Sequence, residues 1–167
     1  MPIRQELTTD SAERYIEAPP EVLYAILSDV TRTPERTPDV VKCEWIDGAT
    51  GPAVGARFKS LNTVGHGPKW NNKSTVTAAD PGKEFSFARK EFMGGVLEWR
   101  HQLVAEGTGT RVIESYEVTK PLALGGWFII GVVFGMKDRQ TDLQESMQTS
   151  LGILAAMAEA EVDSAAR

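Results

Sequence analysis

The strongest constraint on the fold is a change of hydrophobic period in the last third of the chain. From Asp138 onward, apolar residues recur every three or four positions and polar residues take the opposite face, which predicts a long amphipathic helix. The preceding β-like runs, separated by Gly- and Pro-containing turns, are residues 41–47, 55–62, 70–78, 84–90, 96–105 and 110–119. Consecutive hairpins give an antiparallel sheet, and an apolar face of that sheet is the surface available to bury the helix.

The predicted C-terminal helix has one apolar stripe. The stripe consists of Leu143, Met147, Leu151, Leu154 and Ala158. Residues 161–167 follow it and are expected to fray, as chain ends commonly do.

The N-terminal region predicts a strand followed by two short helical segments. Residues 11–17 have the composition of a strand, and Pro20 followed by Glu21 is typical of a helix start. Apolar residues then follow at helical spacing, namely Val22, Leu23, Ile26, Leu27 and Val30. Pro34 and Pro38 bracket a second short turn or helix. The order of elements predicts an α+β fold in which a curved antiparallel sheet wraps around the long C-terminal helix.

Composition and charge exclude several classes of protein. The 167 residues are 41% hydrophobic and 25% charged, as in one globular domain spanning 1–167. A net charge of −5 without a basic stripe argues against a nucleic-acid partner. Cys43, predicted to be buried in a strand, is the single cysteine, which excludes an internal disulfide. With two histidines, His101 and a turn residue expected to be exposed, His66, we predict no metal centre, and no cofactor motif occurs.

One uncharged segment raises the question of whether the chain contacts a membrane. Residues 121–136 read PLALGGWFIIGVVFGM, which is shorter than the about 20 apolar residues of a spanning helix and contains four glycines. We interpret it as a buried or lid-like segment beside an apolar cavity, and we expect no stable membrane contact. The alternative, lipid transfer at a membrane surface, predicts that this segment exposes a contiguous apolar patch. The N-terminus has no apolar signal segment, which predicts a cytoplasmic location.

The hairpin near residues 96–119 can be registered from its turn. If Gly107 and Thr108 form a two-residue turn, the facing residues of the two strands sum to 215. One face of the hairpin then carries four opposed pairs, namely Leu103 and Val112, His101 and Glu114, Trp99 and Tyr116, and Leu97 and Val118. This apolar-rich face is predicted to point toward the helix.

The inward faces of the other strands also mix aromatic and polar side chains. Alternation groups Phe58 with Ser60 and Asn62, Trp70 with Asn72, Ser74 and Val76, and Phe85 with Phe87 and Arg89. Unsatisfied polar groups in a packed core cost about 1–3 kcal/mol each. Two interpretations follow: the strands line a cavity that holds water or a ligand, which we favour, or the polar groups satisfy one another in a closed network.

Four stretches of the sequence resemble a known family. They are IEAPPEVLYAILSD at 16–29, VGARF at 54–58, VTAADPG at 76–82 and GTRVIESYEV at 109–118. They are similar to the START-like superfamily and, within it, to the polyketide cyclase/dehydrase group, over about residues 10–160. The resemblance implies a helix-grip fold with a deep cavity between the sheet and the C-terminal helix. It also implies binding of a small hydrophobic ligand, such as a lipid or a polyketide-like molecule, and it supplies no shared catalytic residues.

The sequence departs from this group at Arg36, where relatives often have tryptophan. Because this region forms the cavity mouth in the family, Arg36 either recognises an anion or is a solvated surface charge. The side chains expected to bind the ligand are Phe58, Asn62, Trp70, Phe87, Arg89, Trp99, Met147 and Leu151. The ligand is thus expected to bind inside a single domain. The sequence does not decide whether the chain forms a homodimer.

The His101 and Glu114 pair is the strongest candidate for catalysis. A carboxylate beside an imidazole fixes the tautomer of the ring, and inside a cavity the pair can act as a general base or acid. In an aldol cyclisation His101 with Glu114 would remove an α-proton, while Tyr116 or Arg89 would hold the enolate oxygen. The alternative is a buried pair in which the two side chains satisfy each other without chemistry. The sequence therefore leaves three hypotheses, namely a binding protein, a cyclase-type enzyme and, from the apolar segment 121–136, lipid transfer at a membrane surface.

Overall fold

Seven β-strands form one antiparallel sheet in the computed structural model, which describes residues 4–65 and 67–167. The strands are β1 (Thr9–Ile16), β2 (Val40–Ile46), β3 (Arg57–Asn62), β4 (Trp70–Asp80), β5 (Glu84–Lys90), β6 (Val96–Glu106) and β7 (Gly109–Lys120). Their order across the sheet is β1-β7-β6-β5-β4-β3-β2, so that every neighbouring pair from β2 to β7 is a hairpin. β1 instead joins the far edge by pairing with β7, from Thr9 opposite Glu117 to Ile16 opposite Thr110. The predicted turn residue His66 lies outside the described residues.

The described residues also form four α-helices. They are α1 (Pro20–Ser28), α2 (Thr33–Arg36), α3 (Leu124–Phe128) and α4 (Arg139–Ala165), with a π-helical turn at Ile129–Val133 directly after α3. Pro20 stands in the first turn of α1, where its missing N–H is no loss. The Asp138 side chain caps α4 by accepting a hydrogen bond from the Thr141 backbone N–H at 3.1 Å. The α+β fold with a curved sheet around a long C-terminal helix is confirmed.

The hairpin register predicted from the turn is confirmed. β6 and β7 pair so that His101 lies opposite Glu114 and Trp99 lies opposite Tyr116. Gly107 has a φ of +61°, which the first central residue of such a tight hairpin turn favours. Because the register holds, all four predicted pairs lie on the face that is covered by the helices.

The core is built between the sheet and α1 and α4. α4 packs on β1 and β7, with the Leu143, Met147, Leu151, Leu154 and Ala158 stripe buried. Burying a leucine or methionine side chain of this kind stabilises the fold by about 1.5–3 kcal/mol. A smaller cluster lies under β2 to β5 and contains Val30, Cys43, Phe58, Val76 and Phe85. Residues of both clusters line the internal cavity that is described below.

The C-terminal end of α4 is ordered further than the sequence predicts. The expectation that residues 161–167 fray is wrong up to Ala165, where the helix ends. Glu161 accepts a hydrogen bond from Arg32 Nη1 at 2.8 Å, and Val162 packs against the core. These contacts to the short turn after α1 hold the last helical turns in place.

The apolar segment 121–136 is divided between buried and exposed side chains. Trp127 and Ile130 are buried in the main core, and the ring of Phe134 packs on Trp70 with centroids 4.7 Å apart. Four large side chains are at least half exposed: Leu124, Phe128, Val132 and Val133. The segment is therefore an apolar flap that buries some of its side chains in the core and exposes these four, while membrane contact itself stays a prediction. No helix among the described residues is long and apolar enough to cross a membrane.

Candidate functional site

An internal cavity lies between the concave face of the sheet, α2 and α4. About 100 Å³ is open to the centre of a water molecule, which is room for several waters at about 10–15 Å³ each. Known ligand pockets are larger, about 300–1,000 Å³, so a bulky ligand requires side chains to move apart. The cavity is lined by Val30, Thr33, Arg36, Thr37, Asp39, Val40, Cys43, Phe58, Ser60, Asn62, Val64, Trp70, Ser74, Phe85, Phe87, Arg89, Trp99, His101, Glu114, Arg139, Leu143, Ser146 and Ser150.

Some polar side chains of the lining are satisfied by hydrogen bonds within the protein. The Asn72 Oδ1 atom accepts from Asn62 Nδ2 at 2.7 Å and from Trp70 Nε1 at 3.0 Å. Asn72 Nδ2 in turn donates to the backbone carbonyl of Lys90 at 2.6 Å. At this end of the cavity the closed-network interpretation is correct, and Asn62 and Trp70 are held in fixed positions.

Another part of the polar lining has no hydrogen-bond partner in the described part of the protein. Four lining residues carry buried side-chain atoms with no hydrogen-bond partner among the described residues: Arg36 (Nε), Ser74 (Oγ), Trp99 (Nε1) and His101 (both ring nitrogens). Each unmet group costs about 1–3 kcal/mol when it is shielded from water. The cavity interpretation is therefore the one that accounts for these groups, since water or a ligand inside it can pair with them.

His101 and Glu114 face each other on the inner surface, as the register requires. His101 Nε2 lies 3.4 Å from Glu114 Oε1, and both side chains are more than nine-tenths buried. The distance is that of an ion pair, although the two groups are not aligned as a hydrogen bond. The Phe87 ring stacks near His101 with centroids 6.3 Å apart. The pair thus presents an imidazole and a carboxylate to the cavity with an aromatic wall beside them.

Arg89 is held by two contacts at the cavity wall. Its Nε donates to Glu91 at 2.5 Å, and its Cζ lies 5.3 Å from the centroid of the Trp99 ring. The second contact is a cation–π interaction, worth about 0.5–2 kcal/mol depending on solvation. Arg89 is therefore already neutralised by a carboxylate of its own chain.

Three predicted site residues lie outside the cavity lining. Tyr116, Met147 and Leu151 are each 1% exposed and belong to the main hydrophobic core. Tyr116 packs behind Trp99 with ring centroids 5.3 Å apart, and burial raises the pKa of its hydroxyl to about 12. It therefore does not reach the cavity as the expected donor. The other eight predicted residues, including His101 and Glu114, do line the cavity.

Sequence reasoning missed the face of α4 that lines the cavity. Met147 and Leu151 lie in the main hydrophobic core, whereas the cavity is lined by Arg139, Leu143, Ser146 and Ser150, spaced four, three and four residues apart. Serines at helical spacing beside the apolar stripe were the signal available for this face. Arg36 was left open between a surface charge and an anion site, and the structure buries it.

The described residues contain no cluster of three or more His, Cys, Asp or Glu side chains that could hold a metal ion. Burial raises the pKa of the Cys43 thiol, a lining group, to about 11, so the thiol is uncharged at neutral pH. The chemistry that the lining itself offers is therefore hydrogen bonding, ion pairing and proton transfer.

Comparison with known proteins agrees with this architecture. Residues 16–142 match the family described as polyketide cyclase/dehydrase and lipid transport. The chain belongs to this family. Members of the family share the helix-grip fold found here, and the match covers most of the sheet together with the start of α4. No curated protein matches the chain.

Several solved structures share the fold of this family member. StfQ, a di-domain ARO/CYC from the steffimycin biosynthetic pathway, aligns with a TM-score of 0.75 at 15% identity over 93% of this chain. The match covers 52% of StfQ, so this chain spans about half its length. CV1439 from Chromobacterium violaceum aligns with a TM-score of 0.66 at 18% identity, covering 92% of this chain and 99% of that one. Cgl2372 from Corynebacterium glutamicum, a Polyketide_cyc-like protein, gives 0.55 at 27% identity, covering 92% and 93%.

Proposed function

We propose that this protein binds one small, mostly apolar molecule in the cavity between the sheet and α4. The observation that carries the proposal is the combination of aromatic walls with unpaired polar atoms in one cavity. Phe58, Phe85 and Phe87 form a continuous aromatic wall, with Phe58 and Phe87 in edge contact at 5.0 Å between centroids. Binding sites for small molecules have this composition, an apolar surface with a few polar groups that fix orientation.

We expect saturable binding of a neutral apolar fluorophore, N-phenyl-1-naphthylamine, at one site per chain. The variant Ser74→Leu is designed to block the site, because Ser74 is 1% exposed, lines the cavity and has no hydrogen bond to lose. Filling this space should weaken binding at least about tenfold, which corresponds to about 1.4 kcal/mol. Fluorescence titration of both proteins measures the change.

Thr75→Leu is the matched control for this experiment. Thr75 is the next residue of β4, points to the opposite face of the sheet and is half-buried. It should bind the fluorophore as tightly as the unmodified protein. Circular dichroism establishes that both variants fold, and Ser150→Leu on α4 fills the same cavity from its other wall. Unchanged affinity in folded Ser74→Leu and Ser150→Leu would contradict binding in this cavity.

The second candidate function is acid–base catalysis on a polyketide-like substrate, and the His101 and Glu114 pair favours it. In an intramolecular aldol closure, His101 takes a proton from the carbon beside a carbonyl, the resulting enolate forms a carbon–carbon bond to a second carbonyl, and the proton is returned to the new alkoxide. The reaction is an isomerisation, so no other reagent is needed. Glu114, 3.4 Å away, stabilises the protonated imidazole in between.

Replacing His101 by glutamine separates the two functions. The amide retains hydrogen-bonding capacity but cannot transfer a proton at neutral pH. If the protein is a cyclase, His101→Gln loses most turnover of a poly-β-ketone thioester and keeps its affinity for the neutral fluorophore within about threefold, which is below about 0.7 kcal/mol. Product analysis by chromatography measures turnover. An unmodified protein that does not accelerate cyclisation, or a His101→Gln variant as active as the parent, would overturn the catalytic candidate and leave the binding function standing.

A further inference from the structure

We propose that the ligand carries a carboxylate and that Arg36 is the residue that binds it. This inference rests on the proposed function, since it assigns the polar end of the molecule that the cavity accepts. It makes the preferred ligand an amphipathic acid, either a straight-chain fatty acid or a flat aromatic acid. Arg36 is then the residue that sets the orientation of the ligand.

Arg36 is buried in the cavity wall without a partner of its own. It is the last residue of α2, is 5% exposed and lines the cavity. Its Nε has no hydrogen-bond acceptor, and among the described residues no carboxylate lies within ion-pair distance of its guanidinium. By contrast, the lining residue Arg89 is paired with Glu91. A buried cation left in this state is costly, because the desolvation of its charge is not offset by a paired anion.

The groups around Arg36 do not supply the missing anion. The carboxylate that acts on it electrostatically, Glu114, lies against His101 instead, at 3.4 Å from the ring. The other titratable group that can act on Arg36 is Cys43. Its thiol stays uncharged at neutral pH, because burial raises its pKa to about 11. Glu114 therefore offsets only part of the cost of burying the guanidinium, and an anion that enters the cavity would pair with Arg36 directly.

Two unpaired hydrogen-bond donors in the lining also favour a ligand that carries oxygen acceptors. Arginine and the tryptophan indole can only donate, and Arg36 Nε and Trp99 Nε1 are both buried and unpaired. A carboxylate offers two acceptor oxygens and matches the fork of a guanidinium in two parallel hydrogen bonds. The rest of the ligand should be apolar, because it would lie against the aromatic wall described above. An alcohol, an ester or a hydrocarbon would not supply the charge that Arg36 lacks.

The test compares acids with their own methyl esters in displacing the neutral fluorophore N-phenyl-1-naphthylamine. Decanoic acid with methyl decanoate, and 1-naphthoic acid with methyl 1-naphthoate, form pairs that differ in charge and share the apolar part. At about pH 7.5 the acid should displace the fluorophore at least about tenfold more effectively than its ester, a difference of about 1.4 kcal/mol. The pair that competes better identifies the aliphatic or the aromatic source.

Arg36→Gln and Arg36→Met should abolish this preference, so that acid and ester compete equally. The matched control is Arg100→Gln, because Arg100 is exposed, lies outside the cavity lining and is paired with Glu98 at 3.4 Å. It should retain the preference for the acid. Because the Arg36 variants remove a buried unpaired charge, their urea midpoints without ligand should not fall, which shows that they fold.

The outcomes separate this inference from the proposed function. If the unmodified protein does not bind the neutral fluorophore, the proposed function itself fails. If the fluorophore binds but acids and esters compete equally, or the acid preference survives in both Arg36 variants, the carboxylate assignment is overturned and the binding function stands. Arg139→Gln removes another guanidinium of the cavity lining. Loss of the preference in this variant, with its retention in the Arg36 variants, would also overturn the assignment by moving the anion site to Arg139.

Discussion

Replacing Leu151 by alanine is expected to lower the free energy of unfolding by about 2–5 kcal/mol, the range for truncating a buried leucine. Leu151 lies in the middle of α4, is 1% exposed and belongs to the main core. The substitution removes apolar contact with the strands beneath the helix and leaves a void that rigid neighbours fill poorly. A loss of this size shows that α4 is part of the folded core as well as a wall of the cavity.

Urea unfolding followed by circular dichroism measures this loss. Gln148→Ala is the matched control, because Gln148 lies one turn earlier on the exposed side of the same helix. It should change stability by less than about 0.5 kcal/mol, as surface substitutions usually do. A loss below about 0.5 kcal/mol for Leu151→Ala would contradict the packing of α4 on the sheet.

Cys43 is expected to react with iodoacetamide at least about 100-fold more slowly in the native protein than in the unfolded chain. Burial raises the pKa of its thiol from an ordinary 9.0 to about 11, which lowers the thiolate fraction near pH 8 by about 100-fold. Burial at 5% exposure also restricts access of the reagent. The rate should rise about tenfold for each pH unit up to about pH 10, because the thiolate is the reacting species.

Mass spectrometry of the alkylated protein measures both rates, with the unfolded chain in urea as the reference. Since Cys43 lines the cavity, saturation with N-phenyl-1-naphthylamine should slow the native reaction further. Ser74→Leu, which fills the cavity, should reduce this protection by the fluorophore. Equal rates in the native and unfolded states would show that Cys43 is open to solvent and would contradict the enclosed cavity.

The sequence predicts the sheet better than it predicts the site. The β6–β7 register followed from the Gly107 and Thr108 turn alone, because a two-residue hairpin fixes every opposed pair along both strands. That register placed His101 opposite Glu114. The pairing of β1 with β7 could not be predicted in this way, since it joins segments about a hundred residues apart and depends on no local turn.

Met147 and Leu151, two predicted site residues that lie outside the cavity lining, were misplaced for the same reason. An apolar stripe shows that one side of α4 is buried, but not which part faces the strands and which faces a gap between them. In the structure Met147 and Leu151 lie in the core, whereas Ser146 and Ser150 line the cavity. Arg36 lies on a four-residue helix whose burial depends on its packing against β2 and α4, which no local pattern encodes.

The four tryptophan indole N–H signals test binding inside the cavity most directly. Trp70 and Trp99 line the cavity, whereas Trp127 of the flap is buried in the main core and Trp45 packs against Phe58 in an edge contact. In a protein labelled with ¹⁵N at tryptophan, titration with N-phenyl-1-naphthylamine is predicted to shift the Trp70 and Trp99 signals, with saturation at one molecule per chain. The Trp127 signal should stay in place. A shift of Trp127 without Trp99, or no saturable shift of Trp70 and Trp99, would contradict a ligand site between the sheet and α4.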